Sequence, residues 1–206
     1  MIYHIAQQLQ QTFSFLNLFH YVTVRAIGAL LTSLFFAFFF GNRFITFCQN
    51  NFRTKVRDWT PESHQTKNNT PTMGGLFILF IFFINSLLWN NLAQPKVWIF
   101  LFCMAGFGFI GFLDDWYKIQ YKKGISASLK FRFQIGLATI IAVAWYFLEQ
   151  PDTRLCVPFL KHCNPDLGLL LIPWAAFIII ATSNAVNLTD GLDGLATGPL
   201  ITNFSA

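Results

Sequence analysis

Apolar residues fall in five long blocks, at about 21–40, 74–92, 97–113, 131–149 and 167–185, with polar stretches between them. Each block approaches the roughly 17–25 residues that a helix needs to cross a bilayer. A further block opens at Pro199. The pattern predicts an all-α fold, a polytopic transmembrane helix bundle of five spans plus the start of a sixth. Residues 1–206 read as a single integral membrane domain. The N-terminus lacks the basic-plus-apolar pattern and small-residue cleavage site of a signal peptide, so the first block is expected to be retained.

Composition sharpens this reading. Hydrophobic residues make up 54% of the chain and charged residues only 11%, whereas soluble domains carry about 25% charged residues. The 26 Phe residues suit lipid-facing and interhelical packing. A net charge of +5 would fit a nucleic-acid binder if the basic residues clustered on one surface. They map onto loops instead, which points to membrane topology and to no nucleic-acid partner.

Arg43, Arg53, Lys55, Arg57 and Lys67 lie in 41–73, and Lys118, Lys122, Lys123, Lys130 and Arg132 in 114–132; the opposite loops hold Lys96, Arg154 and Lys161. By the positive-inside rule, loops 41–73, 114–132 and 186–198 face the cytoplasm and the N-terminus faces outward. Cys156 and Cys163 share an outer loop, where they could form a disulfide or stay as free thiols.

The chemistry-bearing residues gather in the three cytoplasmic loops. Asp114 and Asp115 stand at the end of the run Val97–Leu113. A carboxylate in hydrocarbon costs about 2.5–3.5 kcal/mol on insertion scales, and a helix C-terminus repels anions further. A divalent cation would offset both penalties; an ion pair with Lys118 is the simpler alternative. Lys122 and Lys123 suit anchoring at the membrane surface. Lys130 precedes an apolar run and can point toward the aspartates. A prenyl-diphosphate DDxxD motif is excluded, because Lys118 occupies its last position.

The first loop ends Thr70-Pro-Thr-Met-Gly-Gly75. Pro71 breaks helix, and Gly74 and Gly75 permit close backbone approach at the mouth of the second block. Helix-start amides with Lys67, Thr70 and Thr72 would suit a phosphate or carboxylate, or this is an ordinary turn leading into a helix. The third stretch reads Asn184-Ala-Val-Asn-Leu-Thr-Asp-Gly-Leu-Asp-Gly-Leu195. Asn184, Asn187, Asp190 and Asp193 recur every three residues, which would align them along one helical face. Gly191 and Gly194 allow bare backbone to meet a flat ligand. The alternatives are a capped helix junction or a calcium loop, and EF-hand spacing is absent. Three such clusters at one face imply a composite pocket for a phosphate-bearing substrate with Mg²⁺.

The strings Ser63-His64, Lys67, Thr70-Pro-Thr-Met-Gly-Gly75, Gly111-Phe-Leu-Asp-Asp115 and Asn184 to Ala196 resemble those of the polyprenyl-phosphate N-acetylhexosamine-1-phosphate transferases. They are most similar to the branch that uses UDP-MurNAc-pentapeptide. The resemblance runs from about Arg57 to Ala206. It implies Mg²⁺-dependent transfer of phospho-MurNAc-pentapeptide from its UDP carrier to undecaprenyl phosphate, at the bacterial inner membrane.

By the same resemblance, Asp114 and Asp115 form the catalytic acid pair, with Asp114 as base or nucleophile. Asp115 orients it or helps hold the metal. Lys67, Thr72 and Lys130 hold pyrophosphate and nucleotide, with Thr70 beside them. Asn187, Asp190, Gly191, Leu192 and Asp193 shape the uridine pocket. The expected partners are the nucleotide donor, undecaprenyl phosphate, membrane lipid and a second copy of the chain in a homodimer. Family members have about twice this length, so the chain reads as an N-terminal half with little activity alone. A GlcNAc-1-phosphate transferase, a cation transporter and a non-catalytic membrane fragment are the competing readings.

Overall fold

The computed structural model describes residues 1–52, 73–121, 123–156, 164–189 and 195–205. In chain order these form α1 (Ile2–Leu9), a 3-10 turn (Ser14–His20), α2 (Val22–Asn51), α3 (Gly74–Trp89), α4 (Pro95–Tyr121), α5 (Ala127–Glu149), a second 3-10 turn (Gly168–Leu170), α6 (Leu171–Thr189) and α7 (Thr197–Ser205). The described residues contain no strand, only an isolated bridge between Arg154 and Asp166.

Four helical stretches are long and apolar enough to cross a bilayer: Val22–Asn51, Pro95–Tyr121, Ala127–Glu149 and Gly168–Thr189. The protein is an all-α, multi-pass membrane protein. Its large apolar side chains face outward, Phe38 being 81% exposed and Leu188 82%, as a lipid-facing surface requires. The second apolar block is shorter than expected. Only the 16 residues of α3 are helical, about 24 Å at 1.5 Å per residue.

The chain divides into two compact units, Met1–Lys130 and Phe131–Ala206. In the first, α3 packs between α2 and α4. Phe44 stacks on Phe77 with centroids 5.0 Å apart, and Phe82 meets Phe100 edge-on at 5.4 Å. A polar thread crosses the α2–α3 seam. Trp89 Nε1 donates to Thr32 Oγ1 at 3.1 Å, and the Thr32 hydroxyl donates to the Asn85 amide oxygen. Such interhelical bonds hold membrane helices where apolar burial offers little net drive.

Gly28 lets the Trp89 ring lie against bare backbone, since a Cβ there would meet ring atoms at 2.4–2.7 Å. Gly28→Ala should therefore destabilise the first unit by about 1–3 kcal/mol through overpacking. At Gly41 the first contact of an added Cβ is at 3.9 Å, so Gly41→Ala should be neutral. Thermal unfolding of both variants in detergent checks the contrast.

In the second unit, α5 buries Gln134, Ala138, Ile141 and Ala142, one face at helical spacing. Between α5 and the second 3-10 turn, the Thr153 hydroxyl and the Gly168 N–H both donate to Asp166 Oδ1. These bonds, with Arg154 nearby, hold the Asp166 carboxyl below its ordinary pKa. Cys156 is exposed, and its candidate partner Cys163 lies outside the described residues.

The ends of two helices depart from the apolar pattern. The sequence places Asp114 and Asp115 at a helix end, but α4 continues to Tyr121. No Gly or Pro interrupts residues 114–121, and Lys118 pairs with both acids from within the helix. Of the three-residue rhythm from Asn184 to Asp193, Asn184 and Asn187 lie on α6, which runs to Thr189, and Asp190 and Asp193 fall outside the described residues.

Candidate active site

Asp114 and Asp115 are adjacent on α4, so their side chains leave the helix about 100° apart. Lys118, four residues beyond one and three beyond the other, reaches both. Its Nζ lies 2.8 Å from Asp114 Oδ2 and 3.0 Å from Asp115 Oδ1. The ion pair that the sequence offered as an alternative to metal binding is thus present. Lys130, in the first turn of α5, brings its Nζ to 3.8 Å from Asp114 Oδ2.

The connection between these helices completes the cluster. Beyond Tyr121 the chain turns through Gly124, and the Ile125 N–H donates to Asp114 Oδ1 at 3.0 Å. The backbone at Gly124 runs so close that a Cβ would stand 2.6 Å from Asp114 Oδ1 and 3.3 Å from Lys118 Cε. Ser126 then accepts a bond from Leu129 N–H at 3.4 Å and opens α5. Both oxygens of Asp114 are engaged and its side chain is 13% exposed; that of Asp115 is 36% exposed. Asp114 is the fixed member of the pair and Asp115 the accessible one.

Two carboxylates and two ammonium groups make the cluster formally neutral. Alone it offers little attraction to a phosphate ester. A divalent cation would tip the balance, and hard carboxylate oxygens on an accessible Asp115 are suitable donors. Mg²⁺ commonly takes one or two carboxylates, with waters and phosphate oxygens completing its shell. No group of three His, Cys, Asp or Glu side chains gathers among the described residues, so phosphate oxygens of a substrate and waters would have to complete the shell. The donor set fits the ion.

Of the other residues marked by the sequence, Lys67, Thr70, Thr72, Asp190, Gly191, Leu192 and Asp193 lie outside the described residues. At the start of α3, Gly74 and Gly75 have nothing within 4 Å of an added Cβ, so no close approach among the described residues calls for glycine there. In the second unit Asn187 is exposed on the last turn of α6. One turn earlier, Asn184 Nδ2 donates to Gln134 Oε1 at 3.0 Å and to Ile180 O at 2.9 Å. Gln134 escaped the sequence reading because it is a single polar residue in an apolar block. Gly124 and Ile125 escaped it because their contact is made by backbone.

Comparison with known proteins defines the class. The profile of glycosyl transferase family 4 matches residues 97–206, and the chain belongs to that family. Residues 67–79 match signature 1 of phospho-N-acetylmuramoyl-pentapeptide-transferase. Proteins of that name are 45% identical over 210 residues in Desulfosudis oleivorans and 45% over 208 residues in Solidesulfovibrio magneticus. A third, from Nitratidesulfovibrio vulgaris, is 43% identical over 208 residues. The matches cover 98–100% of this chain and 57–58% of those relatives. The particular resemblance is therefore to phospho-N-acetylmuramoyl-pentapeptide transferase, and the chain spans somewhat over half of such a protein's length.

Proposed function

We propose that the protein acts in the transfer of phospho-MurNAc-pentapeptide from UDP-MurNAc-pentapeptide to undecaprenyl phosphate, releasing UMP and forming lipid I. The observation that carries this reading is the Asp114–Asp115 pair, clamped by Lys118 and Lys130, in a chain whose residues 67–79 carry the transferase signature. The weight of basic residues in segments 41–73 and 114–132, which include the ends of α2 and α4 and the start of α5, supports an active face toward the cytoplasm of a bacterial inner membrane. A homodimer is the proposed assembly.

In the reaction a lipid phosphate oxygen attacks the sugar-linked phosphorus, and the bond to the UMP oxygen breaks. Asp114 accepts the proton of the lipid phosphate. In the two-step alternative an Asp114 oxygen first bonds to that phosphorus as UMP leaves, and a lipid phosphate oxygen then displaces the carboxylate. Ile125 N–H holds Asp114 for either task. Lys118 and Lys130 offset the charge of the aspartates, so that the acid pair does not add to the repulsion between the two phosphates. Asp115 would hold Mg²⁺, which when bound supplies charge neutralisation at the diphosphate. Lys67, Thr70 and Thr72 would bind the donor's phosphates. Asn187 with Asp190, Gly191, Leu192 and Asp193 would line the uridine pocket. A site level with the membrane edge leaves the polyprenyl tail in hydrocarbon while the polar donor arrives from water.

The test is radiolabelled transfer in bacterial membranes, with these residues carried in a chain of the relatives' full length, of which they span 57–58%. Transfer from UDP-MurNAc-pentapeptide should stop on chelation and return with added Mg²⁺. Equal transfer from UDP-GlcNAc would overturn the donor assignment, and full activity in excess chelator would overturn the metal.

A further inference from the structure

The second concentration of polarity in the first unit lies at the other end of the same helices. Arg25 sits in the first turn of α2, and Trp89 closes α3. On α4 this end corresponds to Pro95, about 28 Å along the helix from Asp114 at 1.5 Å per residue. A cavity of about 350 Å³ opens there between α2 and α3, lined among others by Arg25, Ser33, Asn85, Ser86, Trp89 and Asn90. Asn85 and Ser86 are only 7% and 5% exposed. An ionisable side chain within a membrane span ordinarily marks a site, and Arg25 lines this cavity.

The guanidinium of Arg25 is poorly satisfied. It has five N–H donors, yet Nη1 makes one long bond, 3.5 Å to Trp89 O. The Tyr3 ring covers the guanidinium with its centroid 4.8 Å from Cζ. Nε is buried with no hydrogen-bond partner. The neighbouring polar groups do not answer it. Asn85 Nδ2 donates to Ile81 O, its oxygen accepts from Thr32, and Ser33 Oγ donates to Ala29 O. The described carboxylates of this unit are Asp114 and Asp115, both bound to Lys118 at the far end.

We propose that this cavity binds the headgroup phosphate of an acidic glycerophospholipid, with Arg25 as its principal ligand. A phosphate supplies the several acceptors that a guanidinium fork lacks here. The volume admits a headgroup but not two acyl chains. Those chains would lie along the open apolar face, where Val22 is 70% and Leu30 60% exposed. The polyprenyl phosphate substrate belongs at the Asp114 end, so the occupant here is a resident lipid of the opposite leaflet.

The experiment is native mass spectrometry of the chain in detergent, with added phosphatidylglycerol, diacylglycerol or inorganic phosphate. The wild type should retain phosphatidylglycerol about tenfold better than Arg25→Gln, and should not retain diacylglycerol. Ser33→Leu fills the cavity while leaving Arg25 in place and should lose the lipid equally; it also decides the matter if Arg25→Gln fails to fold by circular dichroism. Arg154→Gln, an arginine of the second unit, should bind as the wild type does. Equal retention by the wild type and a folded Arg25→Gln or Ser33→Leu overturns the site. Displacement of the lipid by inorganic phosphate alone overturns the choice of a lipid as occupant. The readout is lipid retention, so it stands apart from any transferase activity.

Discussion

Asp114→Asn should leave the helix pair intact and lower transfer by about 10²–10⁴-fold, the range supplied by a positioned acid or base. The fold should survive because an asparagine oxygen can still accept the Ile125 N–H that meets Asp114 Oδ1 at 3.0 Å. Lys118 also keeps its second partner, Asp115, at 3.0 Å. What disappears is the negative charge, and with it the proton acceptor or nucleophile that the proposed reaction assigns to Asp114. The measurement is labelled lipid product per mole of folded protein, with folding judged by a monodisperse detergent-extracted peak. Activity within about threefold of wild type would remove Asp114 from the chemistry and leave it a structural cap on the 123–126 turn.

Gly124→Ala tests the same carboxylate without touching it. An added Cβ would stand 2.6 Å from Asp114 Oδ1, closer than a carbon and an oxygen can remain. The carboxylate is held by Ile125 N–H and Lys118, so relief must come by moving it or the turn. A displacement on the order of 1 Å can cost about 10²-fold in rate. The expected result is a kcat lower by at least about tenfold with KM for the nucleotide donor nearly unchanged. Gly136→Ala is the control, since a Cβ at Gly136 meets nothing within 4 Å. A rise in KM with kcat unchanged would mean that the turn contacts the donor rather than positioning Asp114.

The legibility of the molecule divides along physical lines. Long apolar blocks can satisfy backbone polarity in a bilayer only as helices or closed barrels. The spans Val22–Asn51, Pro95–Tyr121, Ala127–Glu149 and Gly168–Thr189 were readable for that reason. Helix ends were less so. Hydropathy stops at Leu113, whereas the backbone continues to Tyr121, because Lys118 neutralises the acids from within the helix. The count of loop charges also left out Arg25, which lies inside an apolar block and whose unmet donors become visible only beside Asn85 and Trp89.

By itself, the order of residues determined that the chain is a membrane-embedded helical protein and which acids and lysines are its candidate chemistry. Spacing along one helix also suffices to bring Lys118 to both aspartates, since contacts at three and four residues are local. The tertiary structure alone decided which of the two acids is fixed and which is open to a ligand. That difference comes from a turn ten residues downstream, where Gly124 and the Ile125 amide fold back onto Asp114. Contacts of that kind depend on the path of the backbone between two helices, which no periodicity in the sequence encodes.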